Sequence, residues 1–248
     1  MIVTLVASTE IREFPASVQN TRFGTSAEAG EYAWHYEDIP KDADTLAHFA
    51  GRSCYQAWDM PNPATANDMG YLANIIKQGH FSVLEHSSAT FYIEGVSRNL
   101  THELIRHRHL SYSELSQRFV NMADAKWIVP PALKIDGTES SISLRSLGDG
   151  AHYGDDHPYS NYTATVDTLM EEGYTRKQAR EAARFYLPSG METKIVVSGN
   201  HRAWRDMLQK RYSVHADAEI RELSSILLAK LREIAPATYQ DFPDTPFE

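Results

Sequence analysis

Cysteine is nearly missing from this 248-residue chain, with Cys54 the only one. No intramolecular disulfide can form, and zinc or iron–sulfur sites built from several thiolates are excluded. A lone thiol fits a reducing compartment. Long apolar runs are missing as well, and no stretch approaches the roughly 18 apolar residues that a membrane span needs. The opening Met1-Ile2-Val3-Thr4-Leu5-Val6-Ala7 has no basic n-region and meets Glu10 before a longer run develops, so it reads as a first strand and not a signal peptide. We therefore expect a soluble, cytoplasmic protein with no membrane partner. The glycine-rich phosphate signatures are absent too: no GxGxxG follows a strand, and there is no GxxxxGK and no GxSxG. A dinucleotide, if bound, is not held by a Rossmann-type turn. Basic charge is also in deficit, with 24 Lys and Arg against 33 Asp and Glu for a net charge of −9. That sign argues against a general nucleic-acid binder, which neutralises phosphates with a basic surface.

What is present suffices for a folded domain. A globule of this length buries roughly 70–75% of the surface its unfolded chain exposes, so neither disulfide nor metal is needed to hold it. We expect a single domain over residues 1–248, with no internal repeat and no long linker. Helical spacing predicts helices over 44–57, 65–78, 97–108, 159–172, 175–188, 200–212 and 217–235. In the last of these Ile220, Leu223, Leu227, Leu231 and Ile234 form an apolar stripe. Alternation predicts a strand over 87–94, punctuated by Gly95, and another over 192–198. Gly79 stands where a helix stop belongs, and Thr175 where an N-cap belongs. Long helices with few strands and no regular βα alternation give an α+β class, a mixed or antiparallel sheet flanked by long helices. The acidic stretch 28–44 and the Gly/Ser/Asp-rich 136–158 carry no legible signature.

The basic groups that do exist are concentrated. Residues 175–211 hold nine Lys and Arg against three acids, a pattern suited to small anionic ligands. The segment RHRHLSYSELSQR, residues 106–118, packs three Arg, two His, three Ser, a Tyr and a Gln into thirteen positions. Arginine stays protonated and offers a planar fork of donors matched to phosphate or carboxylate oxygens. The competing reading is a solvated basic surface. His102 and His107, five apart, lie about 140° apart round a helix and cannot chelate one ion, so no metal is expected. Arg176, Arg180 and Arg184 stack at i, i+4 steps, to be neutralised either by Glu partners or by a ligand. Trp204, Leu208 and Arg211 share a face, where Arg211 either snorkels to solvent or is delivered to a buried site.

Arg106-His107-Arg108, seven residues and then Ser116 resembles the RHR-x7-S signature of the flavin-dependent thymidylate synthases. GHFSVLEH at 79–86, THELIRHRH at 101–109, RKQAREAARFYLP at 176–188 and ETKIVVSGNHRAWRDMLQKR at 192–211 agree with it. The resemblance spans roughly residues 46–235 and is nearest to the actinobacterial type. It implies methylation of dUMP to dTMP with 5,10-methylenetetrahydrofolate as carbon donor, NADPH as reductant and FAD as cofactor. The implied assembly is a homotetramer with sites shared between chains. Positions matching FAD contacts are Ser82, Arg106, His107, Arg108, Glu114, Asn200, His201, Arg202 and Asp206, with His80 near the flavin. Positions matching dUMP contacts are Glu103, Leu104, Ile105, Arg106 and Arg184, together with Glu114, Leu115, Ser116, Gln117 and Arg118 on what would be a neighbouring subunit. Arg211 matches the catalytic arginine that favours ionisation of the uracil ring. Asp206 departs from the family, which more often has an amide or His there.

The residues agree with much of this. Arg184, Arg118 and the Ser116 hydroxyl make a phosphate cradle, and Arg106 and Arg108 can neutralise a pyrophosphate. Cys54, in an apolar helical segment, reads as core and not as a nucleophile. Ser116 has no base placed beside it and is assigned to binding. Two rivals remain at this stage: a nucleotide- or RNA-binding module using the same Arg/His/aromatic segments, and a serine hydrolase on Ser116, which lacks a nucleophile elbow.

Overall fold

The computed structural model describes residues 1–18, 41–58, 62–131, 134–135, 138–139 and 158–248. Most of the acidic stretch and almost all of the 136–158 connection lie outside the described residues. In chain order the elements are β1 (Ile2–Ser8), α1 (Asp42–Tyr55), α2 (Asp68–Gln78), β2 (Ser88–Ser97), α3 (Arg98–Leu104), β3 (Ser111–Glu114), β4 (Lys134–Ile135), β5 (Thr138–Glu139), α4 (Pro158–Glu171), α5 (Arg176–Ala183), β6 (Glu192–Asn200), α6 (His201–Arg211) and α7 (Ala218–Ile234). Short 3₁₀ turns at Phe81–Glu85 and Arg184–Tyr186 complete the parts that matter below. The class is α+β. Four strands in the order β1-β2-β6-β3 form a wholly antiparallel sheet, and β4 pairs only with β5.

β2 carries the alternation read from the sequence: Ala89, Phe91 and Ile93 are buried, while Thr90 and Tyr92 are half-buried on the opposite face. The strand does not stop at Gly95. Gly95 adopts φ +68° and sits in a bulge between Glu94 and Val96, after which pairing resumes to Ser97. Glycine takes this left-handed conformation without a Cβ penalty, so the expected break is a kink inside one longer strand.

α6 and α7 pack on the sheet and supply a large share of the main core. Trp204 is fully buried, donates to the Ala89 carbonyl at 3.2 Å and meets Phe91 edge to face at 5.3 Å. The α7 stripe of Ile220, Leu223, Leu227 and Leu231 is fully buried, and each such side chain contributes about 1.5–3 kcal/mol on leaving water. Gly79, at φ +69°, ends α2 as expected. Thr175 and Gln178 form a reciprocal capping box at the start of α5.

Three further expectations need correction. The helix expected over 175–188 ends at Ala183, and only the 3₁₀ turn Arg184–Tyr186 follows it. α3 ends at Leu104 and not at Arg108; residues 105–109 form a tight turn. The Tyr112 hydroxyl lies 2.8 Å from the carbonyls of both Leu104 and His107, its single proton serving either, and this holds the turn closed. Cys54 is exposed, not core. The buried face of α1 runs through Ala43, Asp44, Ala47, His48 and Gly51, where the Tyr71 ring fits against the bare glycine. The last turn of the helix projects beyond that contact.

Buried polar groups anchor the C-terminal segment. Asp44 accepts from the Ala237 amide (2.8 Å), the Thr238 amide (3.0 Å) and the Thr238 hydroxyl (2.6 Å). Burial still pushes its carboxyl up to about 6. Arg205 forks onto Asp241 at 2.6 and 2.7 Å, donates to the Thr238 carbonyl and lies over the rings of Phe81 and Phe242. His201 is fully buried with Nδ1 at 2.8 Å from the Tyr239 hydroxyl, and burial lowers its imidazole to about 4.

Candidate active site

The site is built where the β6–α6 junction, the 105–109 turn and the 81–85 turn converge. Asn200 caps α6 by accepting from the Ala203 amide at 2.8 Å, and the His201 amide donates to the Ser87 carbonyl at 3.1 Å. Gly199 lets the 105–109 turn come close: a Cβ there would stand 2.2 Å from Leu110 Cδ2. A side chain at this position would force the Leu110 side chain to move aside. At the other end of the site, buried Glu219 accepts from the Ser97 amide (2.8 Å) and hydroxyl (2.5 Å), which fixes the start of α3 and so the placement of Glu103.

The turn sorts the Arg-His-Arg run by alternation: His107 is buried, while Arg106 and Arg108 are exposed. Arg211, from the last turn of α6, does not snorkel to solvent. It is half-buried, with Nε donating to His107 Nε2 at 3.0 Å and Nη1 to a Glu103 carboxylate oxygen. Asp206 Oδ2 lies 3.8 Å from His107 Nδ1, and both Asp206 oxygens lie 2.7 Å from Lys210 Nζ. Burial, and then the adjacent Arg211 cation, lower the His107 imidazole below its ordinary value, with Asp206 opposing. At neutral pH His107 is therefore uncharged, as its acceptance of the Arg211 bond requires.

The remaining sequence candidates fall into two groups. Toward the start of α6, Ser82 on the 81–85 turn and His80 just before it are exposed, and Arg202 donates to Glu85 at 2.5 Å. The His201 ring faces Tyr239 in the interior and its amide is committed to the Ser87 carbonyl, so the fully buried residue presents no group at this surface. Leu104 is core and Ile105 exposed. The 114–118 stretch makes its contacts elsewhere. Glu114 accepts from Thr101 (2.7 Å) and Thr193 (3.1 Å) and pairs with Arg98 at 3.3 Å. Leu115 and Gln117 pack inward, the latter against Met191. Ser116 is half-buried. Arg118 reaches Glu181 at 3.7 Å, and Arg180 donates to the Phe119 carbonyl at 2.5 Å. Arg184 caps α5 and is exposed to solvent. Arg106, Arg108 and Arg184 make no side-chain hydrogen bond or ion pair with the described residues, leaving three guanidinium forks uncommitted.

Comparison with known proteins decides the family. The family model described as thymidylate synthase complementing protein matches residues 36–237. A flavin-dependent thymidylate synthase of Mycobacterium bovis (strain BCG / Pasteur 1173P2) is 49% identical over 217 residues, covering 84% of this chain and 85% of the relative. The chain belongs to the flavin-dependent thymidylate synthases. Proteins of the same name from Mycobacterium avium (strain 104) and Mycobacteroides abscessus are 49% and 48% identical, covering 83% of this chain in each case and 84% and 83% of the relatives. It is an enzyme of this family, and among the described residues no helix is long and apolar enough to cross a membrane.

Sequence reasoning missed several residues on which the site depends. Tyr112 and Gly199 hold the 105–109 turn, and Arg98, Thr101 and Thr193 hold Glu114. The serine–tyrosine–serine alternation of 111–113 marks a strand, but nothing local says where the Tyr112 hydroxyl ends. The pairing of Arg211 with Glu103 and His107 joins positions 108 and 104 residues apart, and only the fold reveals it.

Proposed function

We propose that this chain, as one domain, makes dTMP from dUMP, with 5,10-methylenetetrahydrofolate as carbon donor, NADPH as reductant and FAD as cofactor. The observation that carries the reading is Arg211, drawn inward from α6 and held between Glu103 and His107, beside the uncommitted forks of Arg106 and Arg108. The donor set fits an anionic dinucleotide: Arg106 and Arg108 would take the FAD pyrophosphate, with Ser82 and Asn200 along the same surface. Bound FAD supplies the reducing hydride for this chemistry. Arg184, Arg118 and Ser116 suit the dUMP phosphate, each charge-assisted bond contributing about 1.5–3 kcal/mol where water is excluded.

Arg211 performs the electrostatic part. Negative charge develops on the pyrimidine as it is activated, and a guanidinium already oriented by Glu103 and His107 stabilises that charge without reorganising. Neutral His107 matters here, because a second cation beside Arg211 would oppose its placement. No thiolate is needed. Exposed Phe119, Phe185 and Tyr186, next to Arg118 and Arg184, support the reading that the 114–118 stretch completes a site on another copy within a homotetramer. The test is dTMP formation from dUMP, methylenetetrahydrofolate and NADPH, with FAD present or stripped out. FAD-dependent product is expected. Folded protein that binds neither FAD nor dUMP would overturn the proposal.

A further inference from the structure

Asp206 is the one acidic group facing the Arg-His-Arg turn from α6, and its surroundings do not suit a flavin contact. Both of its oxygens are already 2.7 Å from Lys210, and its charge would repel a pyrophosphate-bearing dinucleotide. Its other neighbour is His107 Nδ1. We propose that Asp206 is a positioning residue that fixes the tautomer of His107 and, through it, the aim of Arg211.

The geometry leaves one consistent arrangement. A guanidinium Nε–H can only donate, so at 3.0 Å His107 Nε2 must present its lone pair. The neutral ring then carries its proton on Nδ1, which faces the Asp206 carboxylate at 3.8 Å. The opposite tautomer would set N–H against N–H at Arg211 and lone pair against carboxylate at Asp206. At 3.8 Å the Asp206 contact is electrostatic and not a short hydrogen bond, but His107 is buried and the field is weakly screened. The charged groups facing the ring are Arg211, Asp206 and Lys210, with Glu103 behind Arg211. They form a row, Lys210, Asp206, His107, Arg211 and Glu103, in which the neutral imidazole links an acid–base pair on each side.

The inference rests on the role proposed for Arg211, so the test includes a readout independent of turnover. Full-length wild type, Asp206→Asn and Asp206→Ala are labelled with 15N-histidine. The His107 tautomer is read from long-range proton–nitrogen spectra with and without FAD, alongside kcat, the KM for dUMP and FAD affinity across pH. Asp206 is nearly half exposed (43%), so both variants are expected to fold. Wild type should show the Nδ1–H form alone. Asp206→Ala should mix the tautomers and lower kcat roughly tenfold with the KM for dUMP nearly unchanged. Asp206→Asn, whose amide oxygen still accepts, should restore most of the turnover. In both variants the acid limb of the pH profile should move to lower pH, because the carboxylate that favours the imidazolium is gone.

An Nε2–H tautomer in wild type would overturn the inference. So would a large loss of FAD affinity in Asp206→Asn with turnover at saturating FAD unchanged, which makes Asp206 a flavin contact. Unmoved tautomer and acid limb in both variants would reduce Asp206 to the partner of Lys210. If wild type makes no dTMP, the proposed function fails while the tautomer result still stands or falls by itself.

Discussion

Arg205 and Arg211 lie six residues apart on α6 and look alike in sequence, yet the fold puts them to opposite uses. Arg205 is almost wholly buried, shared among Asp241, the Thr238 carbonyl and two aromatic rings. Among the described residues its Nε has no partner at all. Arg211 stays partly exposed, with only Nε and Nη1 engaged, and keeps donors available for something else. One cation is used up in holding the chain together, and the other is oriented and left incomplete. Unpaired donors that remain accessible beside ordered partners distinguish a site from a structural clamp, whose one unpaired donor is sealed in the interior.

The largest expected effect separates the two arginines directly. Arg211→Ala should lower kcat by roughly a hundredfold or more, the scale of losing one preorganised electrostatic donor. Its urea unfolding midpoint should stay close to wild type. A collapsed midpoint would make Arg211 an anchor like Arg205 and remove the contrast. Arg205→Ala should do the reverse. It strips a buried charge from Asp241 and the Thr238 carbonyl, a loss of about 3 kcal/mol in stability, whereas turnover per folded molecule should hold.

The clamp also gives a pH test with two opposite signs. The folded Asp44 carboxyl, raised from 3.8 to about 6, binds its proton more readily than the unfolded chain does. Its contribution is therefore present at low pH and lost as pH rises through about 6, on the order of 2–3 kcal/mol. His201, lowered from 6.5 to about 4, contributes above pH 6.5, and that contribution is lost as pH falls through about 4. The melting-temperature gap between wild type and Asp44→Asn should shrink from pH 4 to pH 7, while that for His201→Asn should grow. Gaps that run in parallel would mean these groups do not titrate as buried anchors.

Smaller effects belong to the uncommitted surface. Arg184→Ala should raise the KM for dUMP roughly tenfold, one charge-assisted contact, and leave thermal stability untouched, since the side chain pairs with none of the described residues. Ser116→Ala should retain measurable turnover with dUMP binding weakened by a few fold. Complete loss of turnover in folded, dUMP-bound Ser116→Ala would return Ser116 to consideration as a nucleophile.

Much of the fold was legible because its signals are local. The alternation of β2, the apolar stripe of α7, the Gly79 stop and the Thr175 cap all depend on residues within a few positions of one another. Where reading failed, a distant contact had intervened. Helical spacing carried α3 on to Arg108, but Tyr112 from the edge strand closes the chain into a turn after Leu104. Apolar neighbours suggested a buried Cys54, but α1 outruns the layer it packs against. Gly95 was read as a stop, although a bulge absorbs it within a strand paired on both sides.

The sequence by itself determined the family, through an RHR-x7-S motif and its companion segments, and the α+β class, through the periods of its apolar residues. It also settled which side chains are ionisable. The tertiary structure alone decided which charges are spent. Whether an arginine is neutralised, buried or free depends on groups a hundred residues away, such as Glu103 for Arg211, and on which face a tight turn presents. Periodicity is a property of neighbours along the chain, and charge pairing is a property of neighbours in space.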